Sequence, residues 1–296
     1  MTTLTEFTIR DRRVLTLMMF VALVVGYGAS QLSHTLPFAR VALGLTEGGM
    51  NWVFAVTRVV SLLGLLFMVF ADRRGRRLPF IVAFTLMPLA NLATALAPDP
   101  VSFTAAQSLA RVAVIAVAGL AIVILAEELS PRVRALGIGL YALAGAAGSG
   151  IGLILLPIAD GSETSYRILF ALTGIGLLAI PLLARFLKES RAYVQYERTV
   201  TFRTALKAGL GRHFWPLAAI AFLIAAFSSP ATAFVMERLV DDLQWDTAPA
   251  RFLLMVFSGL GTAGVLIGGR MADLVGRKRT TITAMLAGLI GGVAFY

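Results

Sequence analysis

The chain has 296 residues, of which 58% are hydrophobic and 14% are charged, and its mean hydropathy is +0.84. A soluble domain carries about a quarter charged residues, so this composition excludes a soluble globular protein, and the absence of cysteine excludes disulfides and thiolate metal sites. The net charge of +10 would suggest a nucleic-acid partner in a soluble protein, but here Lys and Arg collect in alternate loops, which indicates membrane topology and no nucleic acid.

Eight apolar runs are long enough to cross a hydrocarbon core of ~30 Å, which takes about 20 helical residues. The predicted spans are 14–36, 49–70, 78–97, 101–126, 136–158, 167–187, 214–236 and 251–269. A ninth run begins at Thr280 and reaches Tyr296. The sequence therefore predicts an all-α integral membrane protein whose lipid partner is the bilayer itself.

The distribution of Lys and Arg between the loops predicts the orientation of the chain, since basic loops stay in the cytoplasm. One side carries Arg10, Arg12, Arg13, Arg73, Arg74, Arg76, Arg77, Arg132, Arg134, the basic residues between Arg185 and Arg212, and those from Arg270 to Arg279. The other side is mainly acidic. The polar N-terminus lacks a signal-peptide cleavage pattern. We expect a multi-pass protein of the plasma (bacterial inner) membrane with a cytoplasmic N-terminus.

The longest polar break, 188–213, lies between the sixth and seventh spans and is rich in Lys, Arg and Glu. It predicts a cytoplasmic linker between an N-terminal six-helix transmembrane bundle, 1–187, and the start of a second transmembrane bundle, 214–296.

A short basic motif occurs twice, each time between two apolar runs. Residues Gly269 to Arg279 and Ala71 to Arg77 match at a constant offset of 201 positions, as between 72 and 273. The matched pairs are Thr46/Thr247, Asp72/Asp273, Gly75/Gly276, Arg76/Arg277 and Arg77/Lys278. A repeat at this distance predicts two homologous halves.

The pattern G-x-x-x-D-x-x-G-R-K of the second copy resembles the loop signature of the major facilitator superfamily of solute carriers. The first copy has Met68 at the position of the leading Gly. The resemblance implies twelve helices in two six-helix bundles, of which this chain holds the first bundle and about two and a half to three helices of the second. We therefore expect a C-terminally incomplete carrier, either a piece of a longer protein or a natural fragment.

The resemblance also implies a secondary active transporter that moves a small solute by alternating access, with no enzyme activity, catalytic residue, metal site or cofactor. The two loops would act as a cytoplasmic gate. The gate residues are Asp72, Arg73, Gly75, Arg76, Arg77, Gly269, Asp273, Gly276, Arg277 and Lys278, and their charge partners Glu127, Glu128 and Arg134. The alternative is that these arginines only set the topology of the chain.

Two arginines lie inside predicted spans, Arg58 in the second and Arg111 in the fourth. An Arg at the bilayer centre costs at least ~2.5–3.5 kcal/mol, so it usually faces a cavity and has a function. The pair could bind an anionic substrate such as a carboxylate or phosphate. A structural role, in which each Arg bonds helix-end carbonyls or joins spans, stays open.

In the first span, Tyr27, Gln31 and His34 share one helix face, which predicts the lining of the substrate cavity. Anchoring of His34 at the membrane interface is the alternative. No acidic residue lies mid-span, so His34 is a candidate for proton coupling. The alternatives are a titratable group in helices that this chain lacks, or transport without coupling.

The fifth span contains six glycines, which favour close helix packing. The segment from Leu187 to Arg191 is similar to the Pro-Glu-Ser-Pro-Arg motif of sugar and metabolite:proton symporters, without its prolines. The rival interpretation of the whole chain is a non-transporting membrane fragment, a sensor or a scaffold.

Overall fold

The computed structural model of the protein describes residues 7–190, 193, 214–233, 235 and 238–295. The chain divides into two compact units, Met1–Val194 and Gln195–Tyr296. The boundary falls within the predicted linker 188–213, most of which lies outside the described residues. Every regular element in the described ranges is helical.

Six helices of the first unit are long and apolar enough to cross a membrane, which confirms the six predicted spans. They are Ile9–His34, Gly48–Arg74, Arg77–Ala95, Pro100–Glu128, Arg134–Gly161 and Tyr166–Phe186, and we call them spans one to six. A short helix, Leu36–Ala42, follows span one.

Three of these spans contain a turn of 3₁₀ helix. The α-helical parts are Glu47–Ser61 and Leu65–Arg74 in span two, Arg134–Leu155 in span five, and Tyr166–Leu172 and Ile180–Phe186 in span six. The 3₁₀ parts are Leu62–Gly64, Leu156–Gly161 and Thr173–Ala179. The second unit contains the helices Phe214–Ala233, Thr247–Val275 and Arg277–Phe295 and a π-helix, Arg238–Asp242.

Polar caps fix the beginnings of several spans where the apolar pattern alone left them uncertain. Thr8 and Asp11 form a capping box, so span one begins at Ile9 and extends through the basic residues Arg10, Arg12 and Arg13. Asp99 caps span four in the same way with Ser102. The backbone N–H and the hydroxyl of Ser102 hold the pKa of the exposed Asp99 carboxyl below its ordinary value.

Spans one and five approach each other at glycine. A Cβ added to Gly26 would lie 2.7 Å from the carbonyl carbon of Gly145, and one added to Gly148 would lie 2.8 Å from the backbone nitrogen of Tyr27. Glycine permits backbones to pack this closely in membrane bundles. The glycine-rich face of span five is therefore a packing surface for span one.

A buried polar cluster joins spans three and four. Gln107 Nε2 donates to Asn91 Oδ1 at 3.0 Å and to Thr94 Oγ1 at 2.8 Å, and all three side chains are buried. Hydrogen bonds of this kind between membrane helices contribute about 0.6–2 kcal/mol each.

We expect Gln107→Leu to lower the melting temperature of the purified protein, because it removes the donor of both bonds and leaves Asn91 Oδ1 without this partner. The cost should be about 1–3 kcal/mol in the free energy of unfolding. Gln31→Leu is a suitable comparison, since Gln31 is also buried but its amide bonds only the carbonyl of Tyr27 within its own helix. Equal melting temperatures for the Gln107 variant and the unmodified protein would contradict the prediction.

Candidate functional site

The loop between spans two and three contains the first copy of the repeated motif. Span two ends at Arg74, and Gly75 reverses the chain with φ 95° and ψ 163°. This backbone conformation is open almost only to glycine. Gly75 therefore sets the turn that brings Arg76 and Arg77 to the beginning of span three.

Arg76 connects this loop to span four. Its guanidinium lies 3.3 Å from Asp72 Oδ1 and 3.2 Å from Glu127 Oε1, and it donates to the carbonyl of Ala71 at 3.1 Å. Its side chain is only 15% exposed, so the ion pair with the largely buried Glu127 is shielded from solvent. The structure thus brings together Asp72, Arg76 and Glu127, three residues of the predicted gate.

Glu189, just beyond span six, completes the cluster. Its carboxylate accepts hydrogen bonds from the backbone N–H groups of Arg76 at 2.6 Å and of Arg77 at 3.3 Å. The positive end of span three stabilises an anion at this place. The hydroxyl of the neighbouring Ser190 donates to Glu127. Sequence reasoning did not assign Glu189 to the gate, although it noted the segment from Leu187 to Arg191 for its resemblance to a symporter motif.

The remaining residues of the first motif and its predicted partners have other contacts. Arg73 accepts a hydrogen bond from Tyr193 through its carbonyl, and the Arg77 side chain donates to the carbonyl of Ala184. Glu128 pairs with Arg10 of span one. Arg134 donates to the carbonyl of Leu129 at 3.4 Å and so stabilises the turn into span five.

The second copy of the motif repeats the backbone of the first. Helix Thr247–Val275 ends at Gly276, which has φ 99° and ψ 141°, and the next helix begins at Arg277. Gly269 lies inside the first of these helices and Lys278 is exposed. The side chains of Asp273 and Arg277 lie outside what the structure describes. Their pairing stays a prediction.

We expect Gly75→Ala to lower the melting temperature more than Gly276→Ala. Both substitutions place an alanine where φ is positive, which costs about 1–3 kcal/mol. At Gly75 the added Cβ would also lie 2.7 Å from Cδ of Glu189, whereas around Gly276 no described atom lies within 4 Å. Equal decreases in melting temperature in the two variants would show that the Glu189 carboxylate does not pack against the turn at Gly75.

Tyr27, Gln31 and His34 lie on one face of span one, but Tyr27 and Gln31 are buried inside the bundle. Tyr27 donates to the carbonyl of Leu169 in span six at 2.9 Å, and Gln31 is fully buried. Gly152 of span five faces Gln31 and His34, since a Cβ there would lie 2.7 Å from Gln31 Nε2 and 3.1 Å from His34 Nδ1. Span six contacts Tyr27 and span five packs against Gln31. The lining of a substrate cavity by Tyr27, Gln31 and His34 stays a prediction. His34 is half-buried.

Arg58 and Arg111 lie on neighbouring spans. Span two contacts span four at Gly64, where a Cβ would lie 2.6 Å from the carbonyl oxygen of Val112. The exposed Arg58 stacks over the ring of Phe54 at 5.9 Å. Arg111 in span four is half-buried. Within the described residues, neither guanidinium has a carboxylate or hydrogen-bond partner. Two cations thus lie in neighbouring spans without a carboxylate partner in the described part of the chain.

Comparison with known proteins gives one family match. The sequence model of the Major Facilitator Superfamily matches residues 15–296. A search of curated proteins found no significant match.

Several solved transporter structures are similar to this chain in fold. A double-tryptophan mutant of XylE, the proton:xylose symporter of E. coli, has a TM-score of 0.70 at 16% identity, over 89% of this chain and 69% of the other. For a bacterial homologue of the human lysosomal transporter Spinster the TM-score is 0.67 at 16% identity, over 90% and 62%. For the human organic anion transporter MFSD10 it is 0.66 at 16% identity, over 85% and 70%. At such low identity these likenesses establish the fold alone.

Proposed function

Because this chain belongs to the Major Facilitator Superfamily, we propose that it is a secondary active transporter that moves a small organic anion across the membrane by alternating access. The chain is a multi-pass membrane protein of a transporter family, and its fold is that of known carriers.

The pair Arg58 and Arg111 supports the proposal that the substrate is an anion. Uncompensated cations inside membrane spans are costly and usually mark a pathway for a substrate or an ion. No described carboxylate compensates either one. A carboxylate or phosphate between them would gain charge-assisted, bidentate hydrogen bonds from guanidinium groups. The similarity in fold to a protein described as an organic anion transporter is consistent with this class.

The gate is the second part of the proposal. Asp72, Arg76, Glu127 and Glu189 connect spans two, three, four and six at one end of the first unit. Such a cluster holds the ends of four spans together, so that this end of the bundle moves as one body when the carrier alternates between two states. We assign the same role to the second copy, with Gly269, Asp273, Gly276, Arg277 and Lys278.

The basic loops support an orientation with the gate and the N-terminus in the cytoplasm, in the plasma membrane or bacterial inner membrane. The similarity in fold to a proton:xylose symporter favours proton coupling. The partners in this proposal are thus a small anionic solute, protons and the lipid bilayer.

The decisive experiment is a ligand screen on the purified chain in lipid nanodiscs, with mono- and dicarboxylates, sugar phosphates and neutral sugars as probes. We expect carboxylates or phosphates to raise the melting temperature and neutral sugars to have no effect. In Arg58→Ala, the affinity for the active anion should fall by roughly tenfold or more, because a hydrogen bond to a charged group contributes about 1.5–3 kcal/mol. Arg132→Ala, which removes an exposed charge from a loop, should leave the affinity unchanged.

A melting temperature that responds to neutral sugars alone would contradict the anionic class. Transport is tested separately by counterflow of the active anion into proteoliposomes at two pH values. Binding without counterflow would contradict transport by this chain and would favour a sensor or a scaffold.

A further inference from the structure

A cleft of about 380 Å³ opens in the first unit at the same end as the gate cluster. It lies between the beginning of span one, the end of span four and the end of span six. Its lining residues are Ile9, Arg10, Arg13, Val14, Leu17, Ile124, Glu128, Phe186, Leu187 and Lys188. None of these residues belongs to the proposed substrate site, and the cleft is distinct from the cluster around Arg76.

The charges of the cleft are unbalanced. Three cations, Arg10, Arg13 and Lys188, face one carboxylate, Glu128, so the lining carries a net charge of +2. Arg10 and Glu128 pair with each other. In the described part of the chain, Arg13 and Lys188 have no carboxylate partner, and both are exposed. Arg13 is held in place by stacking over the ring of Phe186 at 5.4 Å. The cleft thus presents two cations that could bind an anion.

The remaining lining is apolar. Six of the ten lining residues are aliphatic or aromatic, and Leu17, Ile124 and Leu187 among them are buried side chains of the bundle core. A free phosphate or a small hydrophilic anion would gain nothing from such a surface. A molecule with a charged headgroup and a hydrocarbon tail would use both parts.

The position of the cleft also favours a molecule with a charged headgroup and a hydrocarbon tail. Arg13 lies in the second turn of span one, and Lys188 lies two residues beyond the end of span six at Phe186. Both residues therefore stand where a span passes from hydrocarbon into the headgroup region. Basic pockets between membrane helices at this depth are suited to acidic lipid headgroups.

We propose that this cleft is a binding site for an anionic glycerophospholipid. Its phosphate lies between Arg13 and Lys188, and the upper methylenes of one acyl chain pack on Val14, Leu17 and Ile124. A lipid bound there ties the beginning of span one to the end of span six, beside Glu189 of the gate. The inference does not depend on the identity of the substrate or on transport.

The test is native mass spectrometry of the full chain released from nanodiscs that contain phosphatidylglycerol and phosphatidylcholine in equal amounts. We expect phosphatidylglycerol adducts to exceed phosphatidylcholine adducts. In Arg13→Gln/Lys188→Gln the phosphatidylglycerol adducts should fall roughly tenfold or more, since both basic contacts to the acidic headgroup are lost. The control Arg74→Gln/Arg132→Gln removes the same charge from the same end of the bundle, outside the cleft, and should keep the adducts.

Two further measurements separate a lipid from a free anion. Val14→Trp fills the apolar floor while leaving both cations, and it should also reduce the adducts. Glycerol phosphate, added in excess, should not displace the lipid. Equal losses in the cleft variant and in the control variant would overturn the proposal in favour of unspecific surface attraction. Full displacement by glycerol phosphate would overturn it in favour of a site for soluble anions.

Discussion

Gly148→Val is expected to disrupt the packing of spans one and five and to give a large loss of stability. A Cβ at this position would lie 2.8 Å from both the carbonyl carbon of Leu23 and the backbone nitrogen of Tyr27, and it would overlap the carbonyl oxygen of Leu23. These atoms are backbone, so no side chain can rotate away and the helices must separate. Overpacking costs about 1–3 kcal/mol when side chains can adjust, and we expect more here.

The measurement is the melting temperature of the purified protein, together with the yield of monodisperse protein in detergent. Gly150→Val is the matched control, because it adds the same side chain to the same helix where no described atom lies within 4 Å of the added Cβ. Gly26→Val tests the contact from span one, where the new side chain would meet the backbone of Gly145. If Gly148→Val and Gly150→Val melt at the same temperature, the close approach of the two spans is wrong.

This contrast between Gly148 and Gly150 illustrates what the sequence could predict about the fold. The six spans were predictable, because a run of about 20 apolar residues has few alternatives to a membrane helix. Their number is confirmed. The glycine content of span five also predicted close packing. Which glycine faces span one depends on the rotation of the helix against its neighbour, and an evenly apolar helix gives no periodic signal for that rotation.

The candidate site was also only partly predictable from the sequence. The repeated motif drew attention to Asp72, Arg76 and Glu127, which the structure brings together. Glu189 was not assigned to the site. Its carboxylate accepts hydrogen bonds from backbone N–H groups more than 100 positions earlier in the chain. Every residue except proline has such a group, so the sequence does not indicate which of them are the partners. Partners so distant in the chain can be found only when the helices are in place.

The polar face of span one shows how far helix periodicity alone can be interpreted. The spacing of Tyr27 and Gln31 correctly placed them on one face of a helix. The same spacing cannot tell a face that lines a cavity from one that packs against another helix. Here the glycines of span five allow that helix to cover the polar face, and Tyr27 bonds the carbonyl of Leu169 in span six. A polar stripe in a membrane helix thus predicts the side that faces protein. Whether that side packs against a helix or lines a cavity depends on the neighbouring spans.

Arg111 gives the sharpest test of whether a charge inside the bundle serves function or structure. It is half-buried, and it has no compensating carboxylate among the described residues. A charge in this situation destabilises the empty protein. A residue that costs stability and binds substrate should therefore show a trade-off between the two when it is replaced.

We expect Arg111→Gln to stabilise the empty protein: its melting temperature should rise, and its free energy of unfolding should increase by about 1–2 kcal/mol. The same variant should bind the active anion roughly thirtyfold more weakly or worse. Arg111→Lys keeps the charge but not the bidentate donor geometry, so it should bind weakly and stay as unstable as the unmodified protein. A structural arginine predicts the opposite result, a lower melting temperature with binding preserved, because Arg111→Gln would then remove an interaction that joins the spans. The sign of the change in stability, measured without ligand, therefore separates the two roles of Arg111 even before a substrate is known.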